Sequence, residues 1–135
     1  MDMLTISIIG AKIIIEMIMF AIGASIFSFL NVIIYRLPRK MILVKDRSRC
    51  VSCGHQLSFM DMIPIISWVS LKGRCRYCKA KISFRYTFIE CLGGISAVIS
   101  TLYAGIKLKA LGIFLITAVL TVVIFIAIDK LRGVG

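Results

Sequence analysis

The sequence predicts an all-α membrane protein, with three transmembrane helices and a cytoplasmic zinc-ribbon-like loop between helices 1 and 2. Three observations predict it. The 135-residue chain is 60% apolar, and its apolar residues gather in three long blocks, the pattern of membrane spans rather than of a globular core. A short cysteine pattern occurs twice between the first two blocks. Twelve of the 17 basic residues lie between Arg36 and Arg85, opposed only by Asp46 and Asp61, and such an excess marks the cytoplasmic side of a membrane.

The first block runs from about Ile6 to Ile34, broken only by Lys12 and Glu16. A helix rises about 1.5 Å per residue, so roughly 20 residues cross a hydrocarbon layer about 30 Å thick. The block reads as a retained span rather than a cleaved signal: it opens with Asp2 instead of a basic region, its apolar run is too long, and no small-residue cleavage site precedes a mature domain. Lys12 and Glu16, four apart on one helix face, are expected to form a local ion pair near the outer end. Gly23-Ala24-Ser25, with Ser28, gives the span a small-residue face for close helix approach. Asn31 places an amide near the cytoplasmic end. Leu37-Pro38 is expected to end the helix, because a residue before proline disfavours the α region.

The second segment, residues 37–85, carries the repeat. Arg49-Cys50-Val51-Ser52-Cys53 with Leu57-Ser58-Phe59 recurs 25 residues later as Arg74-Cys75-Arg76-Tyr77-Cys78 with Ile82-Ser83-Phe84. Two C-x-x-C turns bring four thiolates together, a ligand set that suits tetrahedral Zn²⁺. In a reducing cytoplasm, thiolate–metal bonds persist where disulfides would not. Cys50, Cys53, Cys75 and Cys78 are therefore the expected zinc ligands, and His55 is superfluous to a filled shell. The knuckles are expected to be short turns with small strands. Between them, the apolar stretch Met62–Val69 with Trp68 should press against the metal unit or the membrane interface. Too small to bury a sizeable core, this unit needs its metal to fold.

Residues 86–135 supply spans two and three. Thr87–Ile106 holds Glu90 one turn inside its cytoplasmic end, where a helix-packing hydrogen bond and a place in a site are both open. Cys91 reads as a small buried hydrophobe. Ala110–Ile128 has no charge, and Asp129 follows at the membrane boundary. A carboxylate there is disfavoured by the partial negative charge of the helix C-terminus. The charge distribution puts the N-terminus outside, with the cysteine loop and the C-terminal end in the cytoplasm. A nucleic-acid role for the basic loop is set aside, because topology and anionic membrane lipids already account for its charge.

Several ordered stretches carry a resemblance. They are Gly23-Ala24-Ser25, Ser28-Phe29-Leu30-Asn31 through Arg36-Leu37-Pro38, and the two cysteine knuckles. Between and after the knuckles come Asp61-Met62-Ile63-Pro64-Ile65-Ile66-Ser67-Trp68 and Ile82-Ser83-Phe84-Arg85-Tyr86 with Glu90. Over roughly residues 23 to 94, and more loosely at Ala127-Ile128-Asp129, the chain resembles the type IV prepilin peptidase family, bacterial cytoplasmic-membrane aspartic endopeptidases. The resemblance implies cleavage of type IV prepilin or pseudopilin leader peptides and methylation of the new N-terminus with S-adenosylmethionine. It also implies that Asp129 is the first of two catalytic aspartates. The family's second aspartate, in a Gly-x-Gly-Asp motif of a later span, has no counterpart here. The expectation is therefore an enzyme incomplete by itself, completed by a second polypeptide, by Glu90 or Asp61 reaching Asp129, or by a second copy of Asp129. The alternative is a non-catalytic membrane zinc module, a truncated or decayed peptidase that binds pseudopilins or a partner chain.

Overall fold

The computed structural model describes residues 2–41 and 47–133. The middle of the charged connector, residues 42–46, lies outside them, as do 134–135. Three helices are long and apolar enough to cross a membrane: α1 (Met3–Arg36), α3 (Phe84–Ala104) and α4 (Leu108–Leu131). Between α1 and α3 lie a 3₁₀ turn (Phe59–Met62) and the short helix α2 (Ile66–Ser70). The described residues form no strand; the expected small strands reduce to two isolated antiparallel bridges, Arg49–Gln56 and Arg74–Lys81. Each knuckle is too short for more than one ladder pair.

Three antiparallel spans put the C-terminus of α1, the N-terminus of α3 and the C-terminus of α4 at one end of the bundle. α1 and α3 cross closely at paired glycines. A Cβ on Gly23 would collide with the Gly93 carbonyl, and one on Gly93 with the Phe27 ring. Without side chains at that point the backbones approach, and Phe27, Ile89 and Ala97 bury around the crossing. Gly23 and Ala24 are buried as the small-residue face requires, whereas Ser25 is exposed and bonds back to the Ala21 carbonyl. α4 completes the core through Phe114 and Ala118, with the Phe27 and Phe114 rings 5.6 Å apart. Elsewhere the spans expose Ile, Leu and Val, as lipid-facing helices do.

α1 ends at Arg36 with Leu37 as its cap, as expected, but by other means than the proline rule, and one further local expectation fails. Leu37 keeps helical dihedrals despite preceding Pro38 (φ −60°, ψ −48°). The chain turns only at Lys40 (φ 52°), where Met41 N–H bonds the Arg36 carbonyl and Lys40 N–H bonds that of Leu37. That is the paired Schellman closure with a left-handed residue just past the helix. Arg39 assists by donating to the Tyr35 carbonyl at 2.7 Å and lying over its ring at 4.1 Å. Nor does Glu16 pair with Lys12: it accepts a 2.7 Å hydrogen bond from buried Thr101 on α3. A carboxylate facing a neighbouring helix gains more from that buried donor than from an exposed, screened ammonium.

Candidate functional site

The two knuckles are near-copies in structure as in sequence. In the first, Cys50 N–H bonds the His55 carbonyl and Gly54 N–H bonds the Cys50 carbonyl, both at 2.9 Å. In the second, Cys75 N–H bonds the Ala80 carbonyl and Lys79 N–H bonds the Cys75 carbonyl, at 2.9 and 3.1 Å. Each turn needs a left-handed residue one past its second cysteine, and Gly54 (φ 69°) and Lys79 (φ 59°) fill it. The rings of His55 and Tyr77 stack across the pair, centroids 3.6 Å apart.

This geometry gathers the sulfurs of Cys50, Cys53, Cys75 and Cys78 within 4.8 Å of one another, with Cys50 and Cys78 3.8 Å apart. Zn–S bonds of about 2.3 Å in a tetrahedron place sulfurs about 3.8 Å apart. The N–H groups of Cys53 and Ser52 pull the Cys50 thiol down to about 6. The Ala80 N–H acts the same way on Cys78, but desolvation and the three neighbouring sulfurs outweigh it and push that thiol up to about 11. Four crowded thiols cannot all ionise unaided, and a divalent cation removes the conflict. The cluster fits a zinc ion by donor type and spacing.

Asp61 knits the unit together. It accepts from the amide and hydroxyl of Ser58, after the first knuckle, and from Arg76 Nε at 2.7 Å in the second. Burial pushes its carboxyl up, but the Arg76 and Ser58 donors prevail and hold it below the usual value. Trp68 on α2 closes the other side, donating from Nε1 to the Ile82 carbonyl at 3.1 Å. Trp68 thus packs on the cysteine unit, whereas Met62, Ile66 and Val69 of the same stretch stay exposed.

The second candidate centre lies where the three spans meet. Asp129 on α4 is 3% exposed. Its oxygens accept from Arg85 Nη1 and Nη2 at 2.5 and 2.9 Å. The guanidinium rests over Phe125, 5.0 Å from the ring centre. The pair borders a cavity of about 90 Å³ that also contacts Asn31, Tyr35, Arg39 and Tyr86. Asn31 Nδ2 donates to the Tyr86 carbonyl at 3.0 Å, fixing α1 to α3 beside it. Such a cavity has room for about three waters.

Neither carboxylate expected to reach Asp129 does so. Asp61 is held in the zinc unit. Glu90 accepts from Ser28 on α1 at 2.7 Å and from the Ile65 amide at 2.8 Å, so it ties the loop to the bundle. Sequence pattern alone gives Arg85 no role in the site: it enters only among the loop's basic residues and in the stretch that carries the family resemblance. Its signal was topological, since the start of α3 and the end of α4 share one membrane boundary, where an arginine and an aspartate can meet.

Fold and site define a polytopic membrane protein with a four-cysteine cluster that could hold a metal ion and a buried aspartate at one end of its bundle. The profile of the bacterial peptidase A24 N-terminal domain matches residues 21–104, and the chain belongs to that family. The prepilin leader peptidase/N-methyltransferase of Myxococcus xanthus is 46% identical over 77 residues, covering 57% of this chain and 23% of that protein. Its namesake from Aeromonas salmonicida is 32% identical over 139 aligned residues, covering 84% and 48%. A third, from Vibrio cholerae, is 42% identical over 83 residues, covering 55% and 33%. The chain thus spans between 23% and 48% of these relatives' length. No solved structure matches it.

Proposed function

We propose that this chain is the zinc-bearing part of a prepilin leader peptidase/N-methyltransferase, with Asp129 as one of two catalytic carboxylates at the cytoplasmic membrane face. The observation that carries the reading is the burial of Asp129 in a small polar cavity at the bundle end where the metal unit sits. In peptide hydrolysis by paired carboxylates, one ionised group takes a proton from water while a protonated one polarises the scissile carbonyl. Asp129, beside a cavity with room for water, would supply one such group. Arg85 neutralises and orients it. The second carboxylate does not line this cavity among the described residues, so the reading takes it from outside these residues or from a second polypeptide. Cys50, Cys53, Cys75 and Cys78 would hold zinc as a structural ion that fixes the loop over the bundle, and all four thiolates are then used. The excess of basic residues in that loop supports its cytoplasmic placement. A leader peptide of a type IV prepilin or pseudopilin is the substrate that the relatives' name implies.

The same name implies a methyl donor, S-adenosylmethionine by the family resemblance. Neither of the two concave surfaces at the loop end of the bundle fits it. The Asp129 cavity is too small for a nucleoside, and the other concave surface is lined by Lys72, Arg74 and Lys81, which repel a sulfonium. No methyl-transfer step is assigned to them.

One observation favours a second reading. Both Asp129 oxygens are engaged by Arg85, as in a structural ion pair of a non-catalytic zinc module that binds pseudopilins or a partner chain. Leader processing in cells separates the two. Asp129→Asn in the complete reading frame should abolish cleavage while zinc content and membrane accumulation stay unchanged. Normal processing by that variant would establish the structural role instead.

A further inference from the structure

A second concave surface lies away from Asp129, where the cysteine unit meets the start of α3. It is an open groove of about 590 Å³ lined by Trp68, Lys72, Arg74, Lys81, Ile82 and Phe84 among others. Three features make it a formed site rather than a patch of loop. Its Trp68 wall is fixed by the Nε1 bond to the Ile82 carbonyl and by an edge contact with Phe84, centroids 5.4 Å apart. Its floor is held open at Gly73, where a Cβ would come within 2.8 Å of the indole and where φ is +66°. Its three cations form no ion pair among the described residues, and no carboxylate lines it.

Depth decides the occupant. Ser83 caps α3 by accepting from Arg85 N–H at 3.3 Å, and Phe84 is the first residue of that span. The cations therefore sit at headgroup level, beside an interfacial tryptophan. Below them an apolar track continues down the span. Phe84 is 57% and Phe88 45% exposed, with ring centroids 6.5 Å apart. A positive cup above an exposed aromatic track complements a molecule anionic at one end and aliphatic at the other.

We infer that this groove binds the headgroup of an anionic phospholipid, its phosphodiester on Lys72, Arg74 and Lys81 and an acyl chain along Phe84 and Phe88. A soluble acidic peptide has no use for the track, and a zwitterionic lipid brings its own ammonium to the cations. The inference is independent of any catalytic role for Asp129.

Trp68 is the sole tryptophan of the chain, so its fluorescence reports the groove. The test uses the full, zinc-loaded chain in phosphatidylcholine nanodiscs carrying brominated phosphatidylglycerol or brominated phosphatidylcholine at equal mole fraction. Quenching of Trp68 should be severalfold greater with the anionic lipid, since each surface cation is worth about a fivefold preference. Lys72→Gln with Lys81→Gln should erase the preference. Lys130→Gln with Arg132→Gln, which removes equal charge at the same end of the bundle, should keep it. Arg74→Gln serves as the groove variant if the double variant loses zinc. Equal quenching by both lipids overturns the proposal, as does a preference that survives the groove variants or that falls equally in the control. A Trp68 response to inorganic phosphate or a soluble oligoglutamate peptide as strong as that to the lipid also overturns it.

Discussion

Arg85, on the first turn of α3, and Asp129, near the end of α4, lock together through two parallel hydrogen bonds across the end of the bundle. The pair answers the electrostatic problem of a carboxylate at a helix C-terminus, where the macrodipole is unfavourable. Its two members are not equally enclosed, with side chains 31% and 4% exposed. Arg85→Met leaves the buried carboxylate without its partner and should destabilise the chain by about 1–3 kcal/mol, below the range of fully buried pairs. Adding Asp129→Asn should recover part of that loss. Thermal unfolding of the four proteins in one detergent measures the coupling, and strict additivity would show the pair to be inert.

The thiolate cluster predicts a second outcome. One zinc should co-purify per chain, and Cys75→Ser, at the most buried ligand position, should abolish its retention. Metal binding displaces thiol protons, so zinc affinity of the metal-free chain must fall as pH falls. The decline should steepen below about 6, where Cys50 takes up a proton as well. A competition titration against a chromophoric chelator across that range reads the slope directly. An affinity independent of pH would mean that the thiols are not the ligands.

Three spans and the doubled knuckle were legible in the sequence because each rests on local pattern: apolar run length and cysteine spacing. The buried polar contacts were not. Glu16, Glu90 and Asp129 find their partners on other helices, at Thr101, Ser28 and Arg85, and sequence spacing favours neighbours such as Lys12 instead. Leu37 shows the same limit at the backbone level. Its preference before proline is overridden by the Schellman bonds three residues on and by Arg39 on Tyr35.

Gly54 and Lys79 occupy one turn position in two copies, with the same left-handed φ and different costs. A side chain in this region costs about 1–2 kcal/mol relative to glycine. Lys79→Gly should therefore stabilise the zinc unit by about 1 kcal/mol. Gly54→Ala should destabilise it by about as much through the backbone alone, since a Cβ there meets nothing within 4 Å. Resistance of bound zinc to urea in the two variants provides the measurement. Shifts of the same sign would contradict the equivalence of the knuckles.

Glu90 predicts the last outcome, through Ile65. This β-branched residue sits at φ 62°, ψ −51°, and the following amide bonds back to the Pro64 carbonyl, which makes a γ-turn of the strained, positive-φ kind. Such a conformation costs about 1–3 kcal/mol and persists only where surroundings enforce it. The enforcing contact is the Glu90 carboxylate, which accepts from Ile65 N–H while its other oxygen takes the Ser28 hydroxyl. Glu90→Gln leaves one acceptor for two donors, so the loop should lose its hold on the bundle at Ile65 while the zinc knuckles stay closed. Amide hydrogen exchange at Ile65 should quicken by about 10–100-fold, the equivalent of one charge-assisted hydrogen bond, with no change at Cys50 or Cys75. Ile65→Gly in the same background should relieve the turn and restore part of the protection, because the strain is released without Glu90. Unchanged exchange at Ile65 in Glu90→Gln would mean that the knuckles alone dictate the turn, and that Glu90 serves only to pack α1 against α3.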